Sequence, residues 1–282
     1  MRSYPHLAVC PLAVVSVRAR PDHGAAQVTQ VLFGEQLRVL QDNGKGWSKV
    51  RCVPGTTGGW VPSRQLMPIE AAGERPDFAF SLEMLHAAVG EEAMRLPFGA
   101  QLPHYDGLRF RLGERAYTFS GQAVAPDLLD PYAELVIKLA LRFLNAPYQM
   151  GGRTVLGIDG VGLWQLLFQL VGIELPRQLD ALVRRGSDIG FVQQAQPGDL
   201  AFYTGRDNKL AKVGLVLSED RLLHVADRVR VDPLDFNGLR DPEMGDYAYT
   251  LRTIRRLLPD LPKYRRGSGP RRGRGGKQFE LF

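Results

Sequence analysis

Gly157-Ile158-Asp159-Gly160-Val161-Gly162-Leu163-Trp164-Gln165-Leu166-Leu167-Phe168-Gln169-Leu170-Val171-Gly172 is the stretch on which the fold turns. A helix is predicted to begin after Asp159 and to run through Leu163, Leu166, Leu167, Leu170 and Val171 to Gly172, where a glycine suits a C-terminal stop. Because it is apolar nearly all round, it must be buried. Upstream, residues 134–145 place Leu135, Leu139, Leu141, Phe143 and Leu144 at helical spacing, so a second helix precedes it. Downstream, strands are predicted over 199–203, 211–217, 221–225, 229–231 and 249–257. Helices followed by an antiparallel run of strands make an α+β domain.

Toward the N-terminus the pattern changes to short strands over 14–18, 28–33, 36–40, 47–53 and 59–62. They are broken at Arg20-Pro21-Asp22, Gly34, Asp42-Asn43-Gly44 and Pro54-Gly55, the close spacing of a small β-barrel. The wording resembles the bacterial SH3 module: Val-Arg-Ala-Arg-Pro at 17–21, Val-Thr-Gln-Val-Leu-Phe-Gly-Glu at 28–35, Gly46-Trp47 and Gly58-Gly59-Trp60-Val61. Trp47 and Trp60 are expected in the barrel core or at its rim, since aromatics are chiefly burial payload. Between the two regions, residues 70–130 suggest a second small β-module, with a helix around 82–88 and strand-like pieces at 96–102, 108–112 and 116–124. Residues 126–131 read as a linker.

At 282 residues the chain can bury a sizeable core without disulfide or metal staples, and 44% hydrophobic with 23% charged residues is an ordinary globular composition. The net charge of +6 is local. Lys263, Arg265, Arg266, Arg271, Arg272, Arg274 and Lys277 fall in a stretch with no acid, and subtracting those seven leaves the rest of the chain at −1. A general attraction to nucleic acid is therefore excluded for the body of the protein; weak nucleic-acid contact belongs, if anywhere, to the 263–277 tail, whose Gly/Arg-rich composition predicts disorder. Two cysteines, Cys10 and Cys52, cannot build a disulfide framework. Residues 7–17 are mostly apolar but interrupted by Pro11 and lack a clear cleavage site, so they read as strand rather than signal peptide, and no stretch reaches the length of a spanning helix. These features predict a cytoplasmic location and no membrane partner. Five histidines without paired spacing make a metal site unexpected, and no Gly-Lys-Ser/Thr follows a glycine loop, so no cofactor is expected.

The C-terminal half resembles the NlpC/P60 family of papain-like cysteine peptidases, which act on peptides of the bacterial cell wall. The resemblance rests on Ala140-Leu141-Arg142-Phe143-Leu144-Asn145-Ala146-Pro147-Tyr148, on Gly157 to Gln165, on Pro197-Gly198-Asp199-Leu200-Ala201-Phe202, on Lys212-Val213-Gly214-Leu215 and on Leu223-His224, in that order. It implies a papain-like α+β domain at 128–258 behind one or two SH3-like β-barrel modules at 1–69 and 70–127, with a basic tail at 259–282. It also implies a γ-D-glutamyl-L-diamino acid endopeptidase ancestry. Thiol-peptidase chemistry needs a thiolate, a base and a group that orients the base. In the family the cysteine follows Asp and opens the buried helix, and here that position is Gly160, followed by Val161 where serine is usual. The base position is Lys212, and the third polar position, His224, survives. An ammonium is a poor proton acceptor near neutral pH.

No catalytic set is therefore intact, and a pseudoenzyme is expected. The resemblance further places Tyr148 and Asp159 near a substrate's amino end. The free N–H groups at the start of the helix, with Lys212 facing them, would make an anion pocket. The expected ligand set is Tyr148, Asp159, Gly160, Val161, Lys212 and His224, and the expected partner a cell-wall-derived peptide or a protein. The bland assignment stands beside it: Asp159 caps the helix, Tyr148 packs, Lys212 meets solvent and His224 is a hydrogen-bonded core residue. Two other functions remain open, an active γ-D-glutamyl-L-diamino acid peptidase with a recast site and a structural or regulatory subunit of an active relative.

Overall fold

The computed structural model describes residues 4–69, 77–240 and 245–259; the tail expected from 259 onward lies outside them except for Pro259. Seven strands, β1 (His6–Val9), β2 (Val14–Arg18), β3 (Gln27–Leu32), β4 (Gln36–Asp42), β5 (Trp47–Val53), β6 (Gly58–Pro62) and β7 (Met67–Pro68), pair antiparallel in the order β3-β2-β6-β5-β4-β1-β7. Alternation drives them together. In β4, Leu37 and Val39 are buried while Arg38 is exposed, and these side chains join Ala8, Cys10, Val15, Val17, Val31, Val50 and Val61 in one core. This is an SH3-like domain. Trp47 is buried and Trp60 half-buried, with the His23 ring 4.9 Å from that of Trp47.

The next module holds β8 (Phe78–Ser81), β9 (Leu85–Val89), β10 (Ala93–Pro97), β11 (Gln101–Pro103), β12 (Arg109–Leu112), β13 (Arg115–Phe119) and β14 (Ala123–Val124). They form two sheets, β10-β9-β13-β12 and β11-β8-β14. The helix expected at 82–88 is instead the strand β9. Leu85, His86, Ala87 and Ala88 favour a helix locally, but Ala93 pairs with Val89 and Pro97 with Leu85 across a hairpin, and cross-strand pairing overrides that propensity.

The C-terminal domain begins with α1 (Ala133–Leu141), which stops four residues short of the predicted end; Asn145 has a positive φ of 67°. A hairpin of β15 (Arg153–Thr154) and β16 (Gly157–Ile158) leads into α2 (Gly160–Leu170), and α3 (Leu179–Leu182) follows. The strands β17 (Ser187–Ile189), β18 (Leu200–Thr204), β19 (Leu210–Ser218), β20 (Arg221–Val225), β21 (Val229–Pro233), β22 (Gly238–Arg240) and β23 (Tyr247–Arg256) make an antiparallel sheet ordered β17-β23-β18-β19-β20-β21, with β22 against β23. The main core packs α1 and α2 on Leu200, Phe202, Val213, Leu215, Leu223 and Val225 of the sheet, and Phe80, Leu82 and Phe98 of the middle module join the same cluster. Trp164 is fully buried, as an all-round apolar helix requires. Among the described residues no helix is long and apolar enough to cross a membrane.

The SH3-like strand β3 runs along the C-terminal domain. Gln27 donates from Nε2 to the Met150 carbonyl at 3.0 Å, and Arg153 donates its backbone N–H to Gln30 Oε1 at 2.8 Å. The Arg153 guanidinium meets Glu35 in a bidentate ion pair at 2.7 and 2.9 Å and also reaches the Gln30 carbonyl and Gln169 Oε1. Gly151 shows how close the approach is. Its φ is +74°, and a Cβ there would stand 2.7 Å from the Gln27 carbonyl oxygen, so only glycine fits.

Candidate functional site

The site is built around the start of α2. Asp159 is the N-cap, in extended conformation, and its Oδ1 accepts the Gly162 N–H at 2.7 Å, satisfying one of the donors that every helix start leaves open. Its Oδ2 accepts the Gly151 N–H at 2.7 Å. The Arg177 guanidinium lies across both oxygens, with one N–H at 2.7 Å from Oδ1 and a second on Oδ2, while Arg177 Nε donates to the Val28 carbonyl of β3 at 3.0 Å. Only 9% exposed, the carboxylate thus ties helix, preceding loop and SH3-like strand together. The geometry uses Asp159 as a cap and brace, with four protein donors where a ligand's amino group was expected. Arg177 escaped the sequence reading because nothing local couples it to a residue 18 positions earlier.

Gly160 opens the helix. Outside its chain neighbours and the helix backbone, a Cβ built on it would meet only the Val213 carbonyl oxygen at 3.6 Å and Val213 Cγ1 at 3.8 Å, both ordinary contacts. Space does not demand a glycine here. The same Val213 carbonyl accepts the Trp164 indole N–H at 3.3 Å, which anchors β19 to α2. Val161 is partly buried against the main core. Tyr148 is 51% exposed and Met150 64%, on the loop beside Asp159; the Tyr148 N–H is fixed to the Asp227 carbonyl at 2.8 Å.

Lys212 is set back from Gly160 rather than in contact with it. No Lys212 atom comes within 4 Å of the Cβ position at 160. Its ammonium donates to the Val225 carbonyl at 3.2 Å and lies 4.9 Å from the Tyr249 ring centroid. Burial, reinforced by the Arg230 charge, pushes the Lys212 pKa down against the pull of Asp227 and Asp232.

His224 is 3% exposed and sits across from Gly214 in the β19–β20 pair, with its Nε2 2.8 Å from Asp232 Oδ2. Its Nδ1 is buried with no hydrogen-bond partner among the described residues. Arg230 donates to Asp232 Oδ1 at 3.0 and 2.7 Å. Burial would raise the Asp232 pKa, but hydrogen bonds from His224 and Arg230 hold it below the usual carboxylate range. Asp232 and Arg230 were not singled out in the sequence. The signal was the β20–β21 hairpin, whose register pairs His224 with Arg230 and so brings Asp232, two residues further, diagonally beside the imidazole.

Chemically, this is an oriented imidazole, a partly desolvated ammonium and a capped helix start whose first residue is a glycine. Cys10 and Cys52 lie in the SH3-like domain, each pushed up to about 12 by burial. Among the described residues no cluster of His, Cys, Asp and Glu could hold a metal ion.

Residues 17–66 match a family model described as the bacterial dipeptidyl-peptidase Sh3 domain, and residues 145–246 match that of the NlpC/P60 family. A probable endopeptidase of Mycobacterium tuberculosis (strain H37Rv) is 33% identical over 119 residues, covering 41% of this chain and 30% of the relative, so the match spans less than a third of that protein's length. Dipeptidyl-peptidase 6 of Lysinibacillus sphaericus is 24% identical over 258 residues, covering 79% of this chain and 89% of the relative. Among solved structures, an NlpC/P60 family protein of Bacillus cereus superposes with a TM-score of 0.74 at 19% identity, covering 90% of this chain and all of that one, which is a likeness of fold.

Proposed function

The chain carries a domain of the NlpC/P60 cell-wall peptidase family behind an SH3-like domain, and from that premise we propose that it is a non-catalytic member which binds a cell-wall-type peptide or a protein partner. The observation that carries the reading is residue 160. The first residue of α2, where a helix N-terminus would lower the pKa of a thiol, is a glycine with room beside it. The Lys212 ammonium supports a ligand with a carboxylate, since it keeps donors beyond the one given to Val225 and is partly desolvated. Exposed Tyr148 and Met150 offer apolar area beside the helix start.

Isothermal titration with L-Ala-γ-D-Glu-type peptides tests it, wild type against Lys212→Ala. Heat from the wild type that falls in the variant is the expected result; no heat from either protein removes the peptide-binding function, and co-purification then tests the protein-partner one.

One observation favours a second reading, an active hydrolase with a recast site. The His224–Asp232 pair leaves a buried Nδ1 without a partner, the arrangement of a base held by its orienting group, which would act once a substrate or water reached that nitrogen. Turnover of a γ-D-glutamyl-diaminopimelate peptide by the purified wild type, abolished in His224→Ala, would replace the non-catalytic assignment with this one.

A further inference from the structure

A cavity of about 260 Å³ opens between the SH3-like domain and the outer side of α2, away from the site at the helix start. Gln165 and Gln169, neighbours one turn apart on α2, form part of its wall, as do Thr57 and Gln36 of the SH3-like domain. Gln169 lies nine residues from Gly160, roughly 13 Å along the helix axis. The glutamines are held but not exhausted. Gln165 donates to the Leu175 carbonyl at 2.8 Å and keeps its Oε1; Gln169 accepts from Arg153 at 3.1 Å and keeps its Nε2. Glu174 and Arg185 also line the cavity, and neither side chain makes a hydrogen bond or ion pair among the described residues.

Such a lining selects its guest. Two opposite charges without partners want a molecule with two charged ends, and side-chain amides with a spare acceptor and a spare donor want amide groups between those ends. The space is below that of drug-sized pockets, which favours a small guest, and domain boundaries are where such pockets commonly occur. We propose that this interdomain cavity binds a short unblocked peptide of dipeptide size, its ammonium toward Glu174 and its carboxylate toward Arg185. Binding there would join the SH3-like domain to α2 and so add to the stability of the native arrangement. The proposal does not depend on the function assigned to the helix-start site.

The probe is L-Ala-L-Ala, titrated calorimetrically into the whole protein, with thermal unfolding followed in parallel. Binding is expected to fall about tenfold or more in Glu174→Gln and in Arg185→Gln, a loss of about 1.4 kcal/mol each. Both residues are exposed, so the variants keep the wild-type melting temperature without ligand. Lys212→Ala is expected to bind as the wild type does, and the N-acetylated, C-amidated dipeptide is expected to bind at least tenfold more weakly. The proposal is overturned by no heat and no thermal shift with the free dipeptide, by equal binding of the blocked one, or by binding that survives the double Glu174→Gln/Arg185→Gln variant. It is equally overturned if Lys212→Ala abolishes binding, since the guest then sits at the helix start.

Discussion

Glu35 and Arg153, 118 residues apart in the chain, meet as a buried bidentate pair at 2.7 and 2.9 Å across the boundary between the SH3-like and C-terminal domains. Desolvation alone would lower the Arg153 pKa, but the Glu35 carboxylate outweighs it and keeps the guanidinium charged. Glu35→Ala strands that charge in the interior and is expected to cost about 3–5 kcal/mol in urea unfolding, whereas the double change Glu35→Leu/Arg153→Met is expected to recover most of the loss. A Glu35→Ala protein as stable as wild type would show that the pair holds nothing together.

Lys212 makes the stability of the protein pH-dependent in the alkaline range. Its folded pKa is depressed below the ordinary 10.5, so between the two values the unfolded chain binds more protons than the native one and stability from this group rises with pH. Lys212→Met removes the cost of holding the ammonium and is expected to be more stable than wild type at pH 7, with the difference shrinking as pH climbs through the folded pKa toward 10.5. Guanidinium unfolding at a series of pH values reads this out, and a constant difference refutes it.

Asp232 acts at the other end of the scale. Its depressed pKa means that its contribution is present above the unfolded value of 3.8 and disappears as pH falls through the folded value. Asp232→Asn should flatten the acid limb of the stability profile, since it removes the negative charge beside His224 Nε2 and Arg230 and leaves one amide oxygen to accept. Urea unfolding of wild type and variant at a series of acid pH values compares the two limbs, and an unchanged acid limb refutes it.

The two native thiols and an introduced one should differ sharply in reactivity. Cys10 and Cys52, both near 12, are expected to resist iodoacetamide at pH 8 until the protein unfolds. The Cβ of a Gly160→Cys side chain meets only ordinary contacts, so the variant is expected to fold. Its sulfur stands at a helix N-terminus and is expected to alkylate in the native state at least tenfold faster than either native cysteine. Combining Gly160→Cys with Lys212→His is the stronger test of an open groove, read as new cleavage of a γ-D-glutamyl-diamino acid peptide. Mass-spectrometric labelling that favours Cys52 instead would mean that the helix start is closed.

Much of this architecture could be read from residue pattern. The all-round apolar run after Asp159 made α2 and its burial plain, and alternation with Gly, Pro and Asn breaks marked the SH3-like strands. The β9 strand was misread because its helix-favouring residues owe their conformation to partners in β10 and β13, a non-local term that no window of sequence contains. At the candidate site, the identities of Gly160, Lys212 and His224 were legible but their contacts were not. Lys212 follows Val225 and Tyr249, and Asp159 follows Arg177, because each charge settled on the nearest partner supplied by a distant segment.

The fastening of β3 to the start of α2 makes the two domains mutually dependent. Through Gln27, Val28 and Gln30 the barrel supplies acceptors and a donor to Met150, Arg177 and Arg153, so the two guanidiniums depend for their partners on a different domain. Grafting either domain onto a foreign neighbour would leave those arginines searching for new company. The boundary is thus a shared wall, and neither domain keeps its own interior polar groups satisfied without the other.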